Sequence, residues 1–118
     1  MNSFGTTRLS PPDPPPVPPV PISAEFEVVQ SIVTIVFDQE IALAPFDRTA
    51  FTFRANNVLR DWSVDPLFLG NILRGLTTIN TGQVGPDIAI YTGDGLALFG
   101  VNGLPVANFG IIMTIIPP

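Results

Sequence analysis

Between Pro11 and Pro21 the chain reads PPDPPPVPPVP, so eight of its fourteen prolines fall within eleven residues. Each proline ring holds φ near −65° and removes a backbone N–H, so such a run suits neither a helix interior nor a central strand. It is expected to take the polyproline II form, at about 3.1 Å per residue and about 30–35 Å in all. The run separates a short polar head, Met1–Ser10, from a sequence rich in Val, Ile, Phe and Leu. The expected organisation is an extended head and arm over residues 1–23 and one domain over residues 24–118. The domain then has about 95 residues, enough for one small core.

From Ala24 onward the apolar residues recur at strand spacing. Glu25–Val29 alternates, and Ile32–Phe37 (IVTIVF) is β-branched almost throughout and apolar on both faces, as a central strand is. Asp47–Thr49 reads as a short helical turn. Phe51 and Phe53 alternate with Thr52 and Arg54, Asn56-Asn57 signals a turn into Val58–Val64, and Asp65-Pro66 breaks that segment. Leu67–Leu76 carries Leu69, Ile72, Leu73 and Leu76 at helical spacing, but Gly70 and Gly75 each cost a helix about 1 kcal/mol. It reads as a strand or an irregular crossover. Asp87–Thr92 alternates around Ile88 and Ile90, and Gly93-Asp94-Gly95 is a tight turn. Asn102-Gly103 has the type I′ signature, and Gly110–Ile116 is a last apolar strand, either central or a covered edge. About seven short strands, with turns roughly every ten residues, predict an all-β fold, a β-sandwich behind a proline-rich arm.

Apolar residues make up 46% of the chain and charged ones 13%, against about 25% charged in an average soluble protein. Mean hydropathy is +0.42. A surface so poor in charge is expected to be covered in part by partners, copies of the chain included. A membrane is not the expected cover, because no run reaches the roughly 18 apolar residues of a spanning helix. Met1–Ser10 lacks the basic and apolar regions of a signal peptide, and Asn2 excludes N-myristoylation, so a cytoplasmic origin is expected. Net charge is −5, and the cations are all Arg (Arg8, Arg48, Arg54, Arg60 and Arg74). Nucleic acid, which needs a cationic face, is not an expected partner.

The chain has no His, Cys or Lys. Zinc sites, Cys–His nucleophiles, Schiff bases and phosphate-cradling loops therefore lack their central residue. Glu25 with Glu27, and Asp38 with Glu40, fit a solvated strand face. Asp38, Glu40, Asp61, Asp65 and Asp94 offer oxygen donors for Ca²⁺, but without the spacing of an EF-hand. Neither a cofactor nor an enzymatic activity is expected. Trp62 is expected in the core, with an interface anchor as the alternative.

The stretches VTIVFDQEI, FDRTAFTFR and GDGLALFGVNGLPVANF, in that order, resemble bacterial Ig-like domains of the SbsA/Big-5 kind, over about Phe26–Ile116. The resemblance implies an Ig-like β-sandwich, and its motifs are structural, with no catalytic residues to carry over. Members of that family serve as stalk or surface modules, usually in tandem on long secreted chains, and Ig-like domains also decorate phage particles. With the proline arm, this leads to the expectation of a structural virion protein. It would be made in the host cytoplasm and sit on the capsid exterior as a decoration or cement protein. Its expected partners are the major capsid protein or other virion subunits, and copies of itself as a homo-oligomer. The partner-binding residues expected in the arm are Phe4, Arg8, Leu9, Pro12, Pro15, Val17, Pro18 and Val20. PxxP spacings recur there, but no Lys or Arg flanks them as in SH3 ligands. The alternative is a cell-surface or glycan-binding adhesion module, whose aromatic platform would have to come from Tyr91, Trp62 or the Phe residues.

Overall fold

The β-branched run Ile32–Phe37 forms strand β2, and it lies between β1 (Pro21–Glu27) and β6 (Ile72–Leu76). The computed structural model describes residues 15–42, 46–55, 58–79 and 87–117. The remaining strands are β3 (Phe51–Ala55), β4 (Val58–Arg60), β5 (Leu67–Leu69), β7 (Asp87–Tyr91) and β8 (Phe109–Ile116). They form one mixed sheet of eight strands in the order β4-β3-β7-β8-β1-β2-β6-β5. The expected all-β class holds, with eight strands rather than seven and no α-helix among the described residues.

The sheet is continuous because β8 serves two neighbours. Phe109–Met113 pair antiparallel with β7, and Thr114–Ile116 pair parallel with Glu25–Glu27 of β1. The apolar tail is therefore a central strand, one of the two readings its sequence allows. The hand-over lets the sheet curl until rings from distant strands meet. Phe37 of β2 stands edge-on to Phe109 of β8, with centroids 6.0 Å apart. Phe46 bridges Phe51 of β3 and Phe68 of β5, at 6.0 and 5.1 Å. Phe51 also meets Trp62, Tyr91 and Phe109 within 6.2 Å. Each aromatic pair contributes about 0.5–1.5 kcal/mol beyond its buried area, so this cluster holds the curl closed. Around it lie Phe26, Val33, Ile35, Phe53 and Leu73, all fully buried and each on the inward phase of its strand. Trp62 is buried too, in agreement with its reading as core.

The turns account for where the strands start and stop. Leu67–Leu76 is a hairpin: Leu69 pairs with Ile72 across Gly70-Asn71. Gly70 has φ +67°, while Asn71 stays outside the left-handed region, the pattern of a type II′ turn. The Asn102-Gly103 expectation needs correction. A turn forms there, but Asn102 does not take the positive φ that type I′ requires. Gly103 N–H donates to Gly100 O, Gly100 N–H donates to Leu104 O, and Gly103 alone is left-handed at φ +86°. This is a three-residue loop closed by a glycine bulge. The Gly93–Leu96 turn does have two positive φ values, Asp94 at 53° and Gly95 at 77°. The Asn108 amide holds it by bonding both the amide and the carboxylate of Asp94.

Two further strands differ from their expected bounds. The Val58–Val64 strand stops at Arg60, after which Trp62 makes one bridge to Thr77. Strand β1 begins at Pro21, where a missing N–H is tolerated at a strand's first residue. A register shift between Pro21 and Ser23 then leaves both Ile22 and Ser23 exposed. The helical turn expected at Asp47–Thr49 is a 3-10 turn over Arg48–Ala50, capped by the Asp47 carboxylate. Hydrogen bonds from the Thr49 hydroxyl and then its amide hold that carboxyl below its ordinary pKa. The Asn56-Asn57 turn lies outside the described residues.

Candidate functional site

Residues 15–20 run upstream of β1 across the end of the sheet where β2 finishes. Two loops hold them there. The first is Asp38-Gln39, directly after β2: Val20 N–H donates to Asp38 Oδ1 at 2.8 Å, and Asp38 N–H returns a bond to Val20 O at 2.9 Å. The Gln39 amide donates to Val17 O at 2.9 Å. The second is the Phe99–Pro105 hairpin, from which the Asn102 amide donates to the same Val17 O at 3.0 Å and to Gln39 Oε1 at 3.3 Å. Val101 N–H ties the two loops together by donating to Glu40 O.

Steric fit completes the clamp. Pro19 is buried and its ring lies over Gly100, where a Cβ would come within 2.7 Å of Pro19 Cγ. Apart from that notch the contacts are to backbone groups, which suits a polyproline II segment, whose carbonyls make no hydrogen bonds within the segment itself. The apolar side chains stay outside: Val17 is 55% exposed and Val20 51%.

Of the residues expected to bind a partner, Phe4, Arg8, Leu9 and Pro12 lie outside the described residues. Val17, Pro18 and Val20 are brought together on the clamp, with Pro18 half-buried; Pro15 lies upstream of it and is exposed. Asp38, Gln39, Gly100 and Asn102 were not foreseen as members of the site. Asp38-Gln39 reads in sequence as a strand ending and Asn102-Gly103 as a turn, and each of these local explanations is also correct.

The carboxylates considered for acid–base or Ca²⁺ chemistry are dispersed. Asp38 accepts from Val20, Asp61 from the Thr78 hydroxyl, and Asp94 from Asn108, while Glu27 pairs with Arg74 at 3.2 Å. Asp65 stands 3.9 Å from Arg48, and Glu25 and Glu40 are exposed. Among the described residues no group of three acidic, His or Cys side chains converges, and no helix is long and apolar enough to cross a membrane.

The aromatic platform considered for glycan binding is not at the surface. Trp62 and Tyr91 are both buried, and every described aromatic residue is buried or half-buried. Strand alternation places Tyr91 inward, and Trp62 is brought in beyond the end of β4, at its bridge to Thr77. Burial pushes the Tyr91 phenol above its ordinary pKa; the facing amides of Ala97 and Leu98 offset part of this without making a well-formed bond to the hydroxyl.

Comparison with protein-family models, curated proteins and solved structures finds no match to this chain.

Proposed function

We propose that this is a structural, non-enzymatic protein that decorates the outside of a symmetric particle, a phage capsid, as a cement. In this reading the sheet is an Ig-like sandwich. Its order β5-β6-β2-β1, continuing through β8-β7-β3-β4, matches the two layers D-E-B-A and G-F-C-C′ of a variable-type Ig domain less its C″ strand. The proline-rich stretch is a stiff arm that bridges neighbouring capsid subunits, and the sandwich rides on the capsid exterior.

The observation that carries this reading is the clamp on Val17–Val20. It engages the backbone of the arm's last residues, Val17 and Val20, and holds them against the domain. An arm held at its root and stiffened by proline loses little entropy on binding, and many weak copies on a symmetric shell add through multivalency. Trp62 and Tyr91 are buried, so no structural observation favours the glycan-binding alternative.

The test is co-sedimentation with capsids lacking their decoration protein. The full chain is expected to pellet with the capsids at a fixed stoichiometry, and a chain lacking residues 1–14 is expected to stay in the supernatant. Equal pelleting of both would overturn the role of the arm.

A further inference from the structure

A groove of about 240 Å³ opens on the outer face of the sheet, lined by Ile32, Val64, Asp65, Leu67, Arg74 and Leu76. Its walls are apolar. Leu67 is 61% exposed and Leu76 46%. The Arg74 head group is turned to Glu27, 3.2 Å away, so the arginine lends its aliphatic stem to the wall. One charge on the rim has only a loose partner: the Asp65 side chain is 78% exposed, and its contact with Arg48 is 3.9 Å long.

The groove and the root of the arm sit at opposite ends of the sheet. Ile32 pairs with Glu27 and with Leu76, where β1 finishes. The arm leaves where β1 begins, bonded to Asp38, Gln39 and Asn102. The strand between, Ile32–Phe37, separates the two by about 17–20 Å. Upstream of Pro15 the chain has fourteen residues, with a maximal reach of about 45 Å. Pro11, Pro12 and Pro14 lie next to the clamped stretch, so reversing over the domain's own end is disfavoured. The Met1–Ser10 segment carries Phe4 and Leu9 and one charged side chain, Arg8.

We propose that this groove receives the Met1–Ser10 head of a second copy of the chain. The inference rests on the reading of residues 1–23 as a binding arm, and it names the partner of that arm's Met1–Ser10 segment. Phe4 and Leu9 match the aliphatic walls, and Arg8 matches the Asp65 rim. The contact is head-to-tail, each copy giving a head and receiving one, and such heterologous contacts close into rings or continue around a shell.

Sedimentation velocity of the full chain, without capsids, tests this. The mean sedimentation coefficient is expected to rise with concentration. The double substitution Phe4→Ser/Leu9→Ser in the head, or Leu67→Glu in the groove, is expected to weaken self-association about tenfold or more, the latter by burying an unpaired charge. The deciding observation is the mixture. The head variant retains a groove and the groove variant retains a head, so together they are expected to form dimers and nothing longer. Core amide exchange matching the parent's establishes that Leu67→Glu is folded, and Leu76→Gln serves in its place if it is not. A full chain that stays monomeric, including one holding its head in its own groove, overturns the proposal. So does association that survives the head substitutions, or variants that fail to complement. Because capsids are not involved, this outcome is independent of the co-sedimentation result.

Discussion

Pro19 and Gly100 are in contact so close that the smallest side chain at position 100 would reach 2.7 Å from Pro19 Cγ and 2.8 Å from Cδ. Asn102 Oδ1 lies as near, at 2.7 Å, and can turn aside, but the Pro19 ring is rigid and cannot. Gly100→Ala is therefore expected to lift residues 17–20 off the sheet rather than to compress the contact. The stability loss should be about 1–3 kcal/mol, as for overpacking elsewhere. Amide hydrogen exchange checks the mechanism: the Val20 and Asp38 amides, which bond each other's residues, should lose protection while β3 and β7 keep theirs. Uniform loss of protection across the sheet would show that the arm root is not a separate unit.

Phe51 touches the rings of Phe46, Trp62, Tyr91 and Phe109, and through Phe46 the cluster reaches Phe68 of β5 in the other half of the curled sheet. Phe51→Ala is expected to cost about 3–5 kcal/mol, enough to unfold a domain of marginal stability. Denaturant unfolding followed by the fluorescence of the sole tryptophan measures it. A loss under about 1 kcal/mol would show that the rings are not the closure of the curl.

The sole tyrosine makes one pH effect readable by itself. Burial raises the Tyr91 pKa above its unfolded value of about 10. Between the unfolded and folded values the native state holds a proton that the unfolded state has lost. The contribution to stability is thus fully present below about pH 10 and declines as pH rises towards the folded value. Phenolate absorbance should show Tyr91 ionising above the ordinary range in the native protein. Tyr91→Phe should flatten the alkaline decline and change stability at neutral pH by no more than about 1 kcal/mol, since the hydroxyl makes no well-formed bond.

Gly70 and Gly93 are expected to fail for different reasons. Around Gly70 nothing lies within 4 Å, but φ is +67°, so Gly70→Ala should cost about 1–2 kcal/mol from backbone strain alone, and Gly70→Asn less. At Gly93 a methyl group would run into the Tyr91 ring. Alanine and asparagine should therefore both be poorly tolerated there. Thermal denaturation of the four variants separates the two cases.

Sequence periodicity carried the fold where one face had to be buried. Ile32–Phe37, apolar on both faces, is the central strand such a run predicts, whereas the alternation of Asp87–Tyr91 marks a strand but not its inner face: Asp87, Ala89 and Tyr91 are buried, and Ile88 and Ile90 are half-buried. Periodicity misleads where a turn falls inside a window. Leu69, Ile72, Leu73 and Leu76 have helical spacing only because a two-residue loop at Gly70-Asn71 shifts the phase between two strands. The clamp was illegible for another reason. Gln39 and Asn102 are 63 residues apart, and the curl of the sheet that brings them together is a property of the β7–β8–β1 hand-over. Pro15–Val20 looked like free arm because proline content predicts extension, yet extension says nothing about what lies alongside.

The pairing of β1 also has a mechanical consequence. A load on the arm enters at Pro21 and runs along β1, which is laced on one side to β2 over Pro21–Glu27 and on the other to the end of β8. Pulling along the strand shears these ladders, so their bonds share the load and must yield together, whereas an edge hairpin pulled from its open end would peel one bond at a time. Stretching the chain between residue 1 and Ile116 is expected to give a single high rupture peak. Stretching it across β4 and β5, the two edge strands, should give low successive ones.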